Sequence, residues 1–182
     1  MTARDKNALI AILAIMVASG LAGCSIFGGN GTTKPPSNAA TKKVQQAIGN
    51  PTNKGIIYSD LSSLHDDANQ WVGYGHTPDW GPWSEQAEKT YIPAVEKVKK
   101  EVEKDAHNKI TKAVLKDLDN AEALLKIAEQ KHDRQALLYF HRIMSDLANY
   151  VYSKNKGDEY FGATHALNGS EASTIDEYVK SE

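Results

Sequence analysis

A small, mainly α fold is what this sequence predicts: an antiparallel bundle of about four helices with a short C-terminal helix, carried on a flexible tether. Three observations predict it. From residue 58 onward apolar residues recur at alternating three- and four-residue spacings, no run alternates with period two strongly enough for a strand, and residues 25–54 are rich in Gly, Pro, Ser, Thr and Asn without periodicity. The 182 residues are 41% hydrophobic and 24% charged, which is globular composition and excludes collagen-like, disulfide-rich or wholly disordered chains. About 128 residues beyond the tether suffice for one core. With a formal charge of -2 and no long Lys/Arg block, the chain lacks the electrostatic footprint of a nucleic-acid binder.

The elements follow in order. Leu61, Leu64, Ala68 and Trp71 or Val72 form a first stripe, with Ser59 or Asp60 placed to cap its start. Tyr91, Val95, Val98 and Val102 form a second. Pro93 suits a first-turn position better than a helix interior. The third stripe runs through Ile110, Val114, Leu118, Ala121, Leu125 and Ala128; neither Gly nor Pro marks a break near Asp105–Asn108, so residues 93–130 read as two helices or as one. Leu137, Phe140, Met144, Leu147 and Val151 form the fourth. Only Lys131-His132-Asp133 separates it from the third, so Asp133 is expected to cap the fourth helix and the two helices to be antiparallel neighbours. A terminal helix is expected near Ser173–Lys180.

The amino terminus has a different logic. Arg4 and Lys6 precede an uncharged, mostly apolar stretch from Ala8 to Ser19, then Leu21-Ala22-Gly23-Cys24. Charged, apolar and small-residue regions in that order make an export signal, and the apolar run falls short of the roughly 20 residues that cross a bilayer. Leu21-Ala22-Gly23-Cys24 resembles the lipobox of bacterial lipoproteins. That resemblance implies diacylglycerol on the Cys24 sulfur, cleavage before Cys24 and acylation of the new terminus. It implies a lipid anchor on the extracytoplasmic face of the cell membrane; Ser25, where Asp would signal retention, favours the outer membrane if the organism has one. Two acyl chains give stable anchoring where one is marginal. The only cysteine is thereby committed, so the exported domain has no disulfide and relies on its core.

Residues 1–23 are therefore expected to be a cleaved signal, 24–54 a lipidated Cys and flexible linker, and 55–182 the bundle. Without residues 1–23 the chain has 19 basic and 22 acidic residues. Lys34, Lys42, Lys43 and Lys54 all fall in the linker, which has no acid, leaving the bundle 15 basic and 22 acidic residues. A basic tether beside anionic lipid or wall polymer is electrostatically sensible, and lysines that only keep a linker soluble explain it equally well.

Chemistry has few places to reside. Gly-rich phosphate loop, Cys-x-x-Cys, His-Glu-x-x-His and Gly-x-Ser-x-Gly are all missing, and the chain is expected not to be an enzyme. The segment from Trp71 to Trp83 holds every tryptophan, with Tyr74 and His76 among its Gly and Pro residues. Trp71, Tyr74, His76, Trp80 and Trp83 are candidate binding-loop residues, since large rigid rings stack on ligands or partners; the same rings could instead close the end of the bundle. A second set is His65, Asp67, Asp117, His141 and His165, nitrogen and oxygen donors that would suit zinc or copper. At 100° per residue, Asp146 points roughly 140° away from His141 and is expected in an exposed pair with Arg142, while Asp117 can meet His141 across the hairpin. The leading functional expectation is a membrane-anchored, non-enzymatic binding or adaptor module that needs no cofactor and contacts an envelope protein or ligand. The alternative is a metal-binding lipoprotein.

Overall fold

A computed structural model describes residues 33–49, 52–153 and 159–182. The expected signal, Cys24 and the first part of the expected linker lie outside these residues. The described chain is mainly helical and contains no strand, as expected.

α1 (Asn38–Ile48) falls within the segment assigned to the tether, and corrects that boundary. Ser37 caps it by accepting from the Ala40 N–H at 3.2 Å, and Thr41, Val44 and Ile48 form a buried stripe. The stripe is too short and too diluted by polar residues to stand out in the sequence. Gln45 also donates to the carbonyls of Tyr150 and Ser153, at 3.2 and 2.5 Å, so α1 is held by polar bonds as well as packing.

α2 (Lys54–Val72) begins a turn before Ser59 or Asp60, which correspondingly do not cap it. Asp60 instead pairs with Lys97 at 2.7 Å. Ile57, Leu61, Leu64, Ala68 and Val72 face the core. Gly55 sits in its first turn with open space where a side chain would go. Gly55→Ala is therefore expected to stabilise the domain by about 0.5 kcal/mol in urea unfolding, by lowering the entropy of the unfolded chain.

α3 (Trp80–Gln86) passes through one wide π turn (Ala87–Tyr91) into α4 (Ile92–Glu103), whose first turn contains Pro93. The Ile92 N–H reaches back five residues to Ala87 O, and the wide turn admits a proline that a regular interior would exclude. Val95, Val98 and Val102 are the buried face of α4.

The question of one helix or two is settled at Asn108. Its extended backbone and its side chain, accepting from Ile110 and Thr111 N–H at 2.8 and 3.0 Å, start α5 (Lys109–Lys131) afresh. Thr111 completes the reciprocal box by accepting the Asn108 N–H. α5 ends at His132 in left-handed backbone, and Asp133 caps α6 (Arg134–Asp146) through Gln135 and Ala136 N–H. α5 and α6 thus form the expected hairpin. α6 closes in a second π turn (Leu147–Tyr152), and α7 (Ala172–Ser181) buries Ala172 and Ile175. Phe140, Leu61, Leu118, Leu125, Leu137, Met144 and Leu147 fill the centre. No helix among the described residues is long and apolar enough to cross a membrane.

Candidate functional site

The bundle has two distinct ends. At one, Arg134 at the start of α6 donates to His76 O at 2.7 Å and Val72 O at 3.1 Å, tying down the connection from α2 to α3. That connection is shorter than the sequence suggested, because Trp71 still belongs to α2 and Trp80 already opens α3.

The tryptophans divide by role. Trp83 is buried; it meets Trp71 edge-on at 5.5 Å and Trp80 edge-on at 5.4 Å between ring centroids. Trp71 further packs on Tyr91 at 4.2 Å and stacks on Phe140 at 6.2 Å. Trp83 closes the bundle as a core ring, and Trp71, partly buried, packs against that core. Trp80 is partly buried, its ring parallel to that of His132 at 5.3 Å. His76 is exposed, and Tyr74 is fully exposed at 101% of its reference area, with φ 53. An aromatic residue in left-handed backbone costs roughly 1 kcal/mol or more, and here nothing packs on the ring to offset it. Of the five candidates Tyr74 and His76 are exposed, Trp71 and Trp80 are partly buried, and Trp83 is buried.

The histidines and carboxylates do not converge. His65 and His141 stack at 5.0 Å, and His141 meets Phe161 edge-on at 5.5 Å. Asp67 lies near Tyr91 instead, its carboxyl raised first by burial and then by Asp66. Asp117 does not meet His141 across the hairpin. It is fully buried, and its two carboxylate oxygens accept from the backbone N–H groups of His165 (2.7 Å) and Ala166 (3.0 Å). The His165 ring bonds Asp176 at 3.0 Å, and Asp176 also accepts from Asn120 at 2.8 Å and from Lys116. Burial alone would raise the Asp176 carboxyl, but these three partners outweigh it and hold it well below the usual carboxylate range. Among the described residues no three His, Cys, Asp or Glu side chains gather in a way that could hold a metal ion. Metal binding by His65, Asp67, Asp117, His141 and His165 as one site is therefore unsupported.

Asp146 is the residue that sequence reasoning misplaced. It makes no exposed pair; it is fully buried, accepting from Phe161 N–H at 2.9 Å and Ala163 N–H at 2.7 Å. Arg142 turns its guanidinium toward the rings of Tyr139 and Phe161, at 5.9 and 5.7 Å. Angles about one helix axis could not have found this, because they say which way Asp146 points but not that a later segment, residues 159–167, arrives there. With all four oxygens of Asp117 and Asp146 committed to backbone donors, the pair is a latch for the C-terminal segment. Neither is presented to a substrate as acid or base.

Burial raises both carboxyls, Asp117 to about 8 and Asp146 to about 7, against the opposing pull of the backbone donors. The unfolded chain releases these protons near pH 4, so the folded state binds more protons in between. The contribution to stability is full below about pH 4 and is lost as pH rises through 7 to 8. Thermal melts are expected to fall by at least about 5 °C between pH 5 and pH 8. A melting temperature that climbs over that range would show instead that both carboxylates fold ionised.

No family model matches the chain, and no characterised protein or solved structure matches it significantly.

Proposed function

We propose that the chain is a lipoprotein anchored through Cys24 at the extracytoplasmic membrane face, and that it acts as a non-enzymatic binding or adaptor module. The aromatic end of its bundle is the contact surface. The order of charged, apolar and small residues before Cys24 supports the anchor. The observation that carries the binding role is Tyr74: a strained backbone holds a wholly exposed ring beside exposed His76 and partly exposed Trp80. Folding gains nothing from that arrangement, whereas a partner with an apolar or ring-faced surface gains a large aromatic face with only two side-chain torsions to fix.

The test is capture in intact cells with a photoactivatable group beside Tyr74. Tyr74→Ala combined with Trp80→Ala is expected to reduce the crosslinked partner at least tenfold, with a helical melt within about 5 °C of the parent. Trp83→Ala is the contrasting variant. It opens a core cavity and is expected to cost about 3–5 kcal/mol whatever the partner. Undiminished capture by the Tyr74/Trp80 variant would remove the aromatic end from consideration, and a natively purified chain of unmodified mass would remove the anchor.

A further inference from the structure

The end of the bundle opposite the tryptophans has the chemistry of a membrane-contacting surface. Asn108, at the start of α5, donates to Ala47 O at 2.7 Å, and Asn53, before α2, donates to Glu101 O at 3.1 Å and to its carboxylate at 2.7 Å. These bonds bring together the end of α1, the start of α2, the end of α4 and the start of α5. Residues 42–49, 52–57 and 100–113, which build this end, hold Lys42, Lys43, Lys54, Lys100, Lys104, Lys109 and Lys112. Their only acids are Glu101, Glu103 and Asp105.

Elsewhere on the helices of the bundle all the described lysines but Lys180 are neutralised. Lys89, Lys97, Lys99, Lys116, Lys126 and Lys131 each pair with a carboxylate. At the basic end Lys104 pairs with Glu101 at 2.7 Å, but Lys42, Lys43, Lys100, Lys109 and Lys112 have no carboxylate among the described residues within 4.0 Å. All five are exposed.

A second observation coincides with the first. Among the described residues the exposed large apolar side chains besides Tyr74 are Ile56 (53%) and Tyr58 (38%), and both lie in the first turns of α2, at the basic end. An aliphatic chain and a tyrosine at the same end as unpaired lysines suit the boundary between anionic headgroups and acyl chains. They suit a wholly aqueous polyanion less, because such a partner leaves Ile56 in water.

We propose that this basic end docks on an anionic phospholipid surface, with Ile56 and Tyr58 entering the headgroup layer, and so holds the aromatic end away from the membrane. The proposal rests on the lipid-anchored reading. Nine peptide units separate Cys24 from Thr33, a covalent span of at most about 32 Å. Thr33 is bonded to Phe161 O at 3.0 Å, and α1 then runs to the basic end. A lysine close to an anionic leaflet strengthens association by roughly fivefold, an effect that fades within a Debye length of about 8–10 Å.

Full-length protein purified with its native modification would be reconstituted into phosphatidylcholine vesicles and into vesicles one-third phosphatidylglycerol, and followed by amide hydrogen exchange. Residues 42–58 and 100–112 are expected to exchange at least about fivefold more slowly on the anionic vesicles, with residues 74–80 unchanged. Raised salt should reverse the protection. So should the variant K42E/K43E/K109E/K112E, and independently Ile56→Ser with Tyr58→Ser, each checked for an unaltered helical melt. Equal exchange on both vesicles by an acylated chain overturns the docking and leaves the anchor intact. If the purified chain carries no acyl groups the anchored reading fails, and co-sedimentation with anionic vesicles decides docking alone. Equal protection by soluble polyphosphate overturns the bilayer in favour of a soluble polyanion.

Discussion

Asp146→Ala is expected to lower the unfolding free energy by about 4 kcal/mol and the melting temperature by about 10 °C, which is large for a single substitution. The reason is the accounting of backbone donors. Phe161 and Ala163 N–H groups point at this carboxyl from a segment with no helix or strand partner of its own, and Ala163 is buried where water cannot replace the bond. A buried donor left without an acceptor costs about 1–3 kcal/mol, and this change orphans two. Asp146→Asn is not a conservative rescue. Its amide offers one oxygen for two donors and turns its own N–H toward the other. Asp117→Ala should act alike through His165 and Ala166. Urea unfolding gives the magnitude, and amide exchange gives the location: residues 159–182 should lose protection before α2, α5 and α6 do. A uniform loss over the whole bundle would mean that the carboxyl supports the core rather than the C-terminal segment.

Gly169→Ala should be at least as damaging, costing more than about 4 kcal/mol or preventing accumulation of folded protein. A Cβ at residue 169 would lie 2.1 Å from Gly162 O and 2.4 Å from Gly162 C, both backbone atoms that no rotamer change can move aside. Gly162 has φ 69, and a Cβ there would meet Thr33 at 2.9 Å and Ser170 at 3.1 Å. The crossing is further closed by Glu171 N–H to Gly162 O and Gly169 N–H to Thr164 O, each 2.8 Å. Forcing the two passes apart breaks these bonds and pulls the same segment off both carboxyls. Gly55→Ala, at an open helical position, is the matched control and should move stability the other way. Nearly equal stabilities for the two variants would show that the crossing is looser than these contacts require.

Much of the bundle is legible in the pattern of residues alone. Leu118 and Leu125, Phe140 and Met144, Val95 and Val102 lie where a 3.6-residue period places them, because the periodicity of a buried helix face is a local property. Asp133 is likewise legible as a cap. α1 is not, because Thr41, Val44 and Ile48 make a stripe whose energy comes from α5 and the chain near Tyr150. The candidate site is legible in part. The aromatic cluster is visible as composition, yet nothing in it separates buried Trp83 from exposed Tyr74, since that depends on how α2, α3 and α6 meet.

Residue type and short-range spacing are therefore enough to dictate the helical class, the hairpin at Asp133, the lack of known catalytic motifs and the expectation of a lipid anchor. Folding in three dimensions had to add the rest: that Asp117 and Asp146 latch the C-terminal segment, that Trp83 belongs to the core while Trp71 and Trp80 only pack against it, and that unpaired lysines gather with Ile56 and Tyr58 at one end. Those outcomes depend on which distant backbone donor or counter-charge arrives beside a side chain. Contacts between residues tens of positions apart leave no period for a single sequence to display.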